Sequence, residues 1–64
     1  MQKTAAYITD TAAADYLGVS VHTLRHYRRE GKGPRYVKLG AAVRYTREWL
    51  DQYAESNVVE PNAA

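Results

Sequence analysis

Sixty-four residues, with nine Lys+Arg against seven Asp+Glu, make one small domain with a formal charge of only +2. A chain of this length buries about 60% of the surface its unfolded form exposes, which leaves little material for a deep catalytic cleft, so an enzyme is not expected. The absence of cysteine excludes disulfides, thiolate zinc sites, iron-sulfur ligation and cysteine nucleophiles together. No apolar run approaches the ~18 residues of a spanning helix and the N-terminus lacks a basic-then-apolar order, so a soluble cytoplasmic protein without membrane contact is expected.

In chain order, Tyr7-Ile8-Thr9-Asp10 reads as the entry to a first helix. Thr9 or Asp10 serves as N-cap, and Ile8 is placed to staple onto Ala13. Ala13, Tyr16 and Leu17 then form a narrow apolar face at helical spacing, and Gly18 suits a left-handed C-cap. Gly18-Val19-Ser20 is a tight connection ending in a strong N-cap residue, so a second helix runs from about Val21 to Glu30, where Gly31 stops it. Two helices joined by a three-residue turn containing glycine are the signature of a helix-turn-helix. On the second helix Val21, Leu24 and Tyr27 face the core, toward Ala13, Leu17 and Val19. The opposite face carries His22, Thr23, Arg25, His26, Arg28 and Arg29, side chains that reach base edges or phosphates.

Lys32-Gly33-Pro34 breaks the helix. Arg35–Leu39 and Val43–Tyr45 then alternate as a β-hairpin around Gly40-Ala41-Ala42. Tyr36, Lys38 and Arg44 are assigned to one face or the tip and Val37, Leu39, Val43 and Tyr45 mostly to the other, with the register fixed only to within a residue. Thr46 caps a last helix whose Trp49, Leu50 and Tyr53 close the core and whose outer face is acidic, with Arg47 spaced to pair with Asp51. The fold expected is mainly α with a small β-hairpin: a winged helix-turn-helix of three helices plus a wing. Residues 1–6 form a lead, 7–54 the domain and 55–64 a flexible tail.

The small net charge conceals a segregation. Residues 1–20 carry a net charge of −1, residues 21–47 carry +7 and residues 48–64 carry −4. A basic block inside so short a domain is the footprint of a surface that meets polyphosphate, although a solvated charged face has the same composition. His22 and His26 have the i,i+4 spacing of metal ligands, but two imidazoles fall short of the usual three or four, so no metal or other cofactor is expected.

The stretch from Tyr7 to Ala54 resembles the small phage excisionases. The resemblance is carried by Ile8-Thr9, by Ala13-Ala14-Asp15-Tyr16-Leu17-Gly18-Val19-Ser20, and by Gly40 with Val43-Arg44-Tyr45 opening a final Trp-Leu helix. Thr23-Leu24-Arg25-His26-Tyr27 followed by Glu30-Gly31 is also similar to the motif at that point in MerR-type regulators, where the arginine and the second aromatic residue help hold the DNA backbone. The resemblance implies that the second helix enters a major groove of double-stranded DNA and the wing an adjacent minor groove. The excisionase likeness implies an architectural factor that fills neighbouring sites beside other copies of itself, bends the DNA and directs an integrase toward prophage excision. A small phage or plasmid transcriptional regulator on the same scaffold is the alternative, and an adaptor whose basic face meets an acidic protein is a third reading. MerR-type regulators continue into a long dimerisation helix and an effector domain; no effector-sensing role is expected of a chain this short.

The DNA-contacting set expected is Ser20, His22, Thr23, Arg25, His26, Arg28, Arg29, Arg35, Tyr36, Lys38 and Arg44. Ser20 both caps its helix and offers its hydroxyl or the first-turn amides to a phosphate. An arginine of the second helix reads guanine, with Arg25 and Arg29 equally eligible, while Arg25 and Arg28 are alternatively phosphate ligands or partners of a carboxylate. Lys38 and Arg44 are the wing contacts, with Arg35 and Tyr36 on the backbone.

Overall fold

Thr9 ends an extended pair of residues and starts the first helix at once. Its backbone is extended (φ −72°, ψ 165°) and its Oγ1 accepts the Ala12 N–H at 3.1 Å. That local chemistry sets the frame of the fold in the computed structural model, which describes residues 6–61. In order, the elements are β1 (Ile8–Thr9), α1 (Asp10–Leu17), α2 (Val21–Arg29), β2 (Val37–Leu39), β3 (Ala42–Tyr45) and α3 (Arg47–Ser56). The result is three helices and a three-stranded antiparallel sheet ordered β1-β3-β2, the architecture of a winged helix-turn-helix.

All three helices begin on a hydroxyl cap. Ser20 Oγ accepts the Thr23 N–H and Thr46 Oγ1 the Trp49 N–H, each at 3.1 Å, so the helix starts are specified by residues in the immediate neighbourhood. α1 ends at Gly18 in the left-handed region (φ 75°), whose N–H bonds to the Ala14 and Asp15 carbonyls while Val19 N–H returns to Ala14 O at 3.0 Å. These bonds satisfy the orphan carbonyls and turn the chain sharply into α2. A Cβ on Gly18 would touch nothing within 4 Å, so the requirement there is conformational and not steric.

The core consists of Ala13, Ala14, Leu24, Tyr45 and Leu50, with Ile8, Leu17, Val21 and Val43 packed around it. The apolar stripe of α1 is therefore centred on Ala13, Ala14 and Leu17, and the expected place of Tyr16 on it is corrected. Tyr16 is 46% exposed and donates its hydroxyl to Asp51 Oδ1 of α3 at 2.8 Å. Small residues at 13 and 14 let α1 lie close against both other helices, and a stripe through 13, 14 and 17 necessarily includes position 10. Val19, expected to face inward, is exposed at the turn.

Two features of the sheet differ from the sequence reading. Ile8–Thr9 is a strand in its own right, pairing Ile8 with Tyr45 and Thr9 with Arg44, while Ile8 also packs against the core. The hairpin turns on Gly40 and Ala41 alone, with Leu39 paired to Ala42, Lys38 to Val43 and Val37 to Arg44. Gly40 has φ 63° and no non-glycine residue among those described has positive φ, the sign pattern of a type II′ hairpin turn. A two-residue turn in place of a three-residue one moves the register by one, and a shift of one exchanges faces. Val37 and Leu39 thus lie with Ala42 and Arg44, and Lys38 with Val43 and Tyr45, correcting the expectation that Lys38 and Arg44 share a face.

Replacing Gly18 with Ala, which forces a side chain into the left-handed region, is expected to cost about 1–2 kcal/mol. Urea unfolding measures it; an unchanged midpoint would mean that this turn tolerates another geometry.

Candidate nucleic-acid interface

The outward side of α2 is a single polar stripe. His22, Arg25, His26 and Arg29 follow at i, i+3, i+4 and i+7, directly opposite the buried Leu24 that anchors the helix, and all but half-buried Arg25 are exposed. At its N-terminal end Ser20 Oγ accepts the Thr23 N–H and donates to Thr23 Oγ1 at 2.9 Å, so the two hydroxyls form a closed pair on the first turn. Leu24 N–H bonds to Ser20 O. The Val21 and His22 amides have no intrahelical acceptor at this position and remain at the positive end of the helix. The capping role expected of Ser20 is formed.

Two of the arginines are anchored in the fold. Arg25 donates from Nε to Asp10 Oδ2 at 2.8 Å and from Nη2 to Oδ1 at 3.4 Å. Arg28 Nη1 lies 3.7 Å from the same carboxylate and donates to the hydroxyl of Tyr45 at 3.1 Å. Asp10 can meet both because it stands on the inward stripe of α1, one turn before Ala13 and Ala14. The hydrogen bond from Arg25 is the chief reason that its carboxyl is held below the ordinary carboxylate range, with partial burial opposing, and the same bond raises Arg25 above the usual guanidinium range. Arg28 also lies 5.8 Å from the centre of the Tyr36 ring, which itself stands 6.1 Å from Tyr45. Tyr36, at the base of the wing and exposed, is thereby brought beside the C-terminal half of α2.

The other charges sort by neighbour. His26 Nε2 lies 3.2 Å from Glu30 Oε2 and Lys32 Nζ 3.6 Å from Glu30 Oε1, whereas Arg29, Lys38 and Arg44 have no acidic partner among the described residues. Lys38 is exposed; Arg44 is half-buried and donates to the Val43 carbonyl at 2.8 Å. Arg35 projects to the α3 flank, its guanidinium 5.1 Å from the Trp49 ring centre, and so is not grouped with the α2 stripe. Arg47 does not pair with Asp51 as expected. It lies 6.0 Å from the Tyr16 ring centre while Asp51 takes the Tyr16 hydroxyl, a bond that holds the phenol proton above the ordinary range. The sequence reading gave Asp10 only a capping role; the available signal was its place in the 10, 13, 14, 17 stripe, facing a basic helix.

This geometry provides a protruding helix face with several donors, an anion-receptive N-terminus and a short β-wing flanked by cations, the combination that tracks phosphates on both sides of a groove while side chains reach base edges. Residues 7–58, about four-fifths of the chain, match the family described as a helix-turn-helix domain. No curated protein matches the chain.

Asp10 has its pKa lowered on folding, so it contributes stability that is fully present above the unfolded carboxyl value near 4 and is lost as pH falls through the lower, folded value. Asp10→Asn is expected to cost about 1–2 kcal/mol near neutrality, from the ion pairs and the charge at the α1 N-terminus. The gap from the unaltered protein should narrow as pH falls below about 4 and vanish once pH is below the lowered folded value, where both carry an uncharged group at position 10. Urea midpoints across pH 2.5–7 check this, and a gap independent of pH would show that the carboxylate charge is not what matters.

Proposed function

The chain belongs to the helix-turn-helix domain family, whose activity is DNA binding, and we propose that it is a sequence-specific architectural protein for double-stranded DNA, of the excisionase kind. In this reading α2 lies in a major groove with His22, Thr23, Arg25, His26 and Arg29 toward the bases. Ser20 contacts a phosphate on the groove wall, Lys38 and Arg44 follow the adjacent minor groove and Tyr36 touches the flanking backbone, while Arg28 and Arg35, turned toward Tyr45 and Trp49, hold the scaffold. The observation that carries the proposal is the α2 stripe: four consecutive positions of one helical face with basic or imidazole side chains and no apolar residue, on the helix that follows the three-residue turn. In this reading the activity is binding and not catalysis. A hollow of about 330 Å³ between Leu17, Val19, Leu24, Tyr27, Tyr53, Ala54 and Asn57 is apolar and offers no acid-base pair. Among the described residues no helix is long and apolar enough to cross a membrane.

The excisionase role is supported by the charge distribution together with the likeness of Tyr7 to Ala54 to that family. A domain this small neutralises few phosphates and gains affinity by filling adjacent sites beside further copies, which bends the DNA and favours a recombination complex with an integrase. Footprinting on the DNA flanking the gene separates this role from promoter regulation: clustered direct repeats beside an attachment site, with bending, are expected. A single operator over a promoter would overturn the excisionase role and leave DNA binding standing.

For duplex binding itself, neutralisation of about five phosphates gives a log affinity falling with log salt at a slope near −5. Lys38→Ala is expected to make that slope shallower by about 1 and weaken binding evenly across sequences. Filter binding or fluorescence anisotropy from 50 to 200 mM salt checks both; absence of duplex binding at low salt would remove the proposal.

A further inference from the structure

The two arginines on the α2 stripe are not equivalent. Arg29 is exposed and has no acidic partner among the described residues, whereas Arg25 is held by Asp10 through one edge of its guanidinium, Nε at 2.8 Å and Nη2 at 3.4 Å. That edge is the side-on fork. The end-on edge, formed by Nη1 and the second Nη2 hydrogen, takes no partner among the described residues, and the side chain is 41% exposed. Two parallel donors at a guanidinium's end match O6 and N7 of guanine.

The clamp changes what Arg25 does best. An arginine held in one rotamer loses less freedom on forming further hydrogen bonds than a free one. A guanidinium hydrogen-bonded to an adjacent carboxylate is a weaker ligand for phosphate, because the carboxylate, although shared with Arg28, offsets part of its charge and repels a phosphate brought close to it. What survives is directional hydrogen bonding, which distinguishes bases. Arg28 is the brace of the arrangement, its Nη1 lying between the Tyr45 hydroxyl (3.1 Å) and Asp10 (3.7 Å), so the carboxylate is held from a second side by a residue tied to the core.

We infer that Asp10 is a positioning residue for sequence reading: it orients the end-on edge of Arg25 toward a guanine in the major groove, making Arg25 and not Arg29 the base reader, and it holds down affinity for unrelated DNA. The inference rests on the DNA-binding reading above and adds to it which side chain discriminates and what fixes its geometry.

The test selects preferred duplexes from a randomised pool with the full unaltered chain. Affinities are then measured at two salt concentrations on the preferred duplex, on single-base-pair substitutions of it and on an unrelated duplex. The unaltered chain is expected to show a G·C pair whose replacement costs about tenfold or more. Arg25→Lys, which keeps the charge and loses the fork, should reduce that preference to about twofold or less at this one position and leave the others in place. Asp10→Asn should lose the same preference while binding the unrelated duplex several-fold more tightly, with a salt slope steeper by about 1 as Arg25 is released to phosphate. Neither the position-specific loss nor the gain on unrelated DNA is what a merely structural role produces. Asp10→Glu, which keeps the charge and displaces the guanidinium by a methylene, should lose the preference without the gain, and it replaces Asp10→Asn if that variant is unfolded by circular dichroism at the assay temperature. Full retention of the guanine preference in the Asp10 variants, or its loss in Arg29→Lys in place of Arg25→Lys, overturns the inference and leaves DNA binding intact. A chain that binds no duplex, or selects no sequence from the pool, removes the functional reading and the inference with it.

Discussion

The hydroxyl of Tyr45 sets the constraint on which the rest of the arrangement depends. Tyr45 occupies the central strand of the sheet, pairs across to Ile8, and is fully buried. A buried phenol is tolerable only if its oxygen finds a partner, because an unmatched polar group inside a protein costs about 1–3 kcal/mol. The partner is Arg28 of α2, and a guanidinium drawn that far inward needs a carboxylate, which Asp10 of α1 supplies. One core side chain thus fixes the sheet, the second helix and the start of the first relative to one another. The ties continue outward, because the same Asp10 grips Arg25 on the exposed stripe. Position and chemistry of the α2 surface are consequences of how the core is completed.

The helices were legible in the sequence because their ends are written locally. A hydroxyl three residues before an amide, or a glycine where the chain must turn left-handed, needs no tertiary information, and Thr9, Gly18, Ser20 and Thr46 all act as their chemistry dictates. The sheet was less legible. Ile8–Thr9 is too short to show alternation and becomes a strand only because β3 lies beside it, and Gly40-Ala41-Ala42 supports a turn of two residues or three with opposite facing of the wing. On α1 the apolar face read as Ala13, Tyr16 and Leu17 keeps Ala13 and Leu17 and exchanges Tyr16 for Ala14, because the large ring suggests burial while the two small alanines make the close contact that places Asp10. Composition located the basic segment and named its residues. It did not reveal which cations already had partners, since that depends on the crossing of α1 with α2.

The structure separates the basic block of residues 21–47 into groups with different neighbours. Arg25 and Arg28 share the single carboxylate of Asp10, which offsets one of their two charges, and His26 and Lys32 lie against Glu30. Arg35 and Arg47 rest on the aromatic rings of Trp49 and Tyr16. Arg29, Lys38 and Arg44 are left without acidic partners among the described residues, on the second helix and the wing. The acidic residues Glu48, Asp51 and Glu55 are exposed on α3. Charge of opposite sign is thus carried by different elements, which gives the molecule an electrostatic orientation that its net +2 conceals, and orientation before contact is what a steered encounter with DNA requires.

In the proposed complex α2 and the wing, and no other surface, meet the duplex. Titration of the ¹⁵N-labelled chain with its preferred duplex, followed by amide chemical shifts, tests it most directly. The largest changes are expected over residues 20–29 and 36–44, with the amides of Glu48, Asp51 and Glu55 nearly unmoved. Changes concentrated on α3 or around the hollow between Val19 and Tyr53, with the α2 stripe silent, would contradict it.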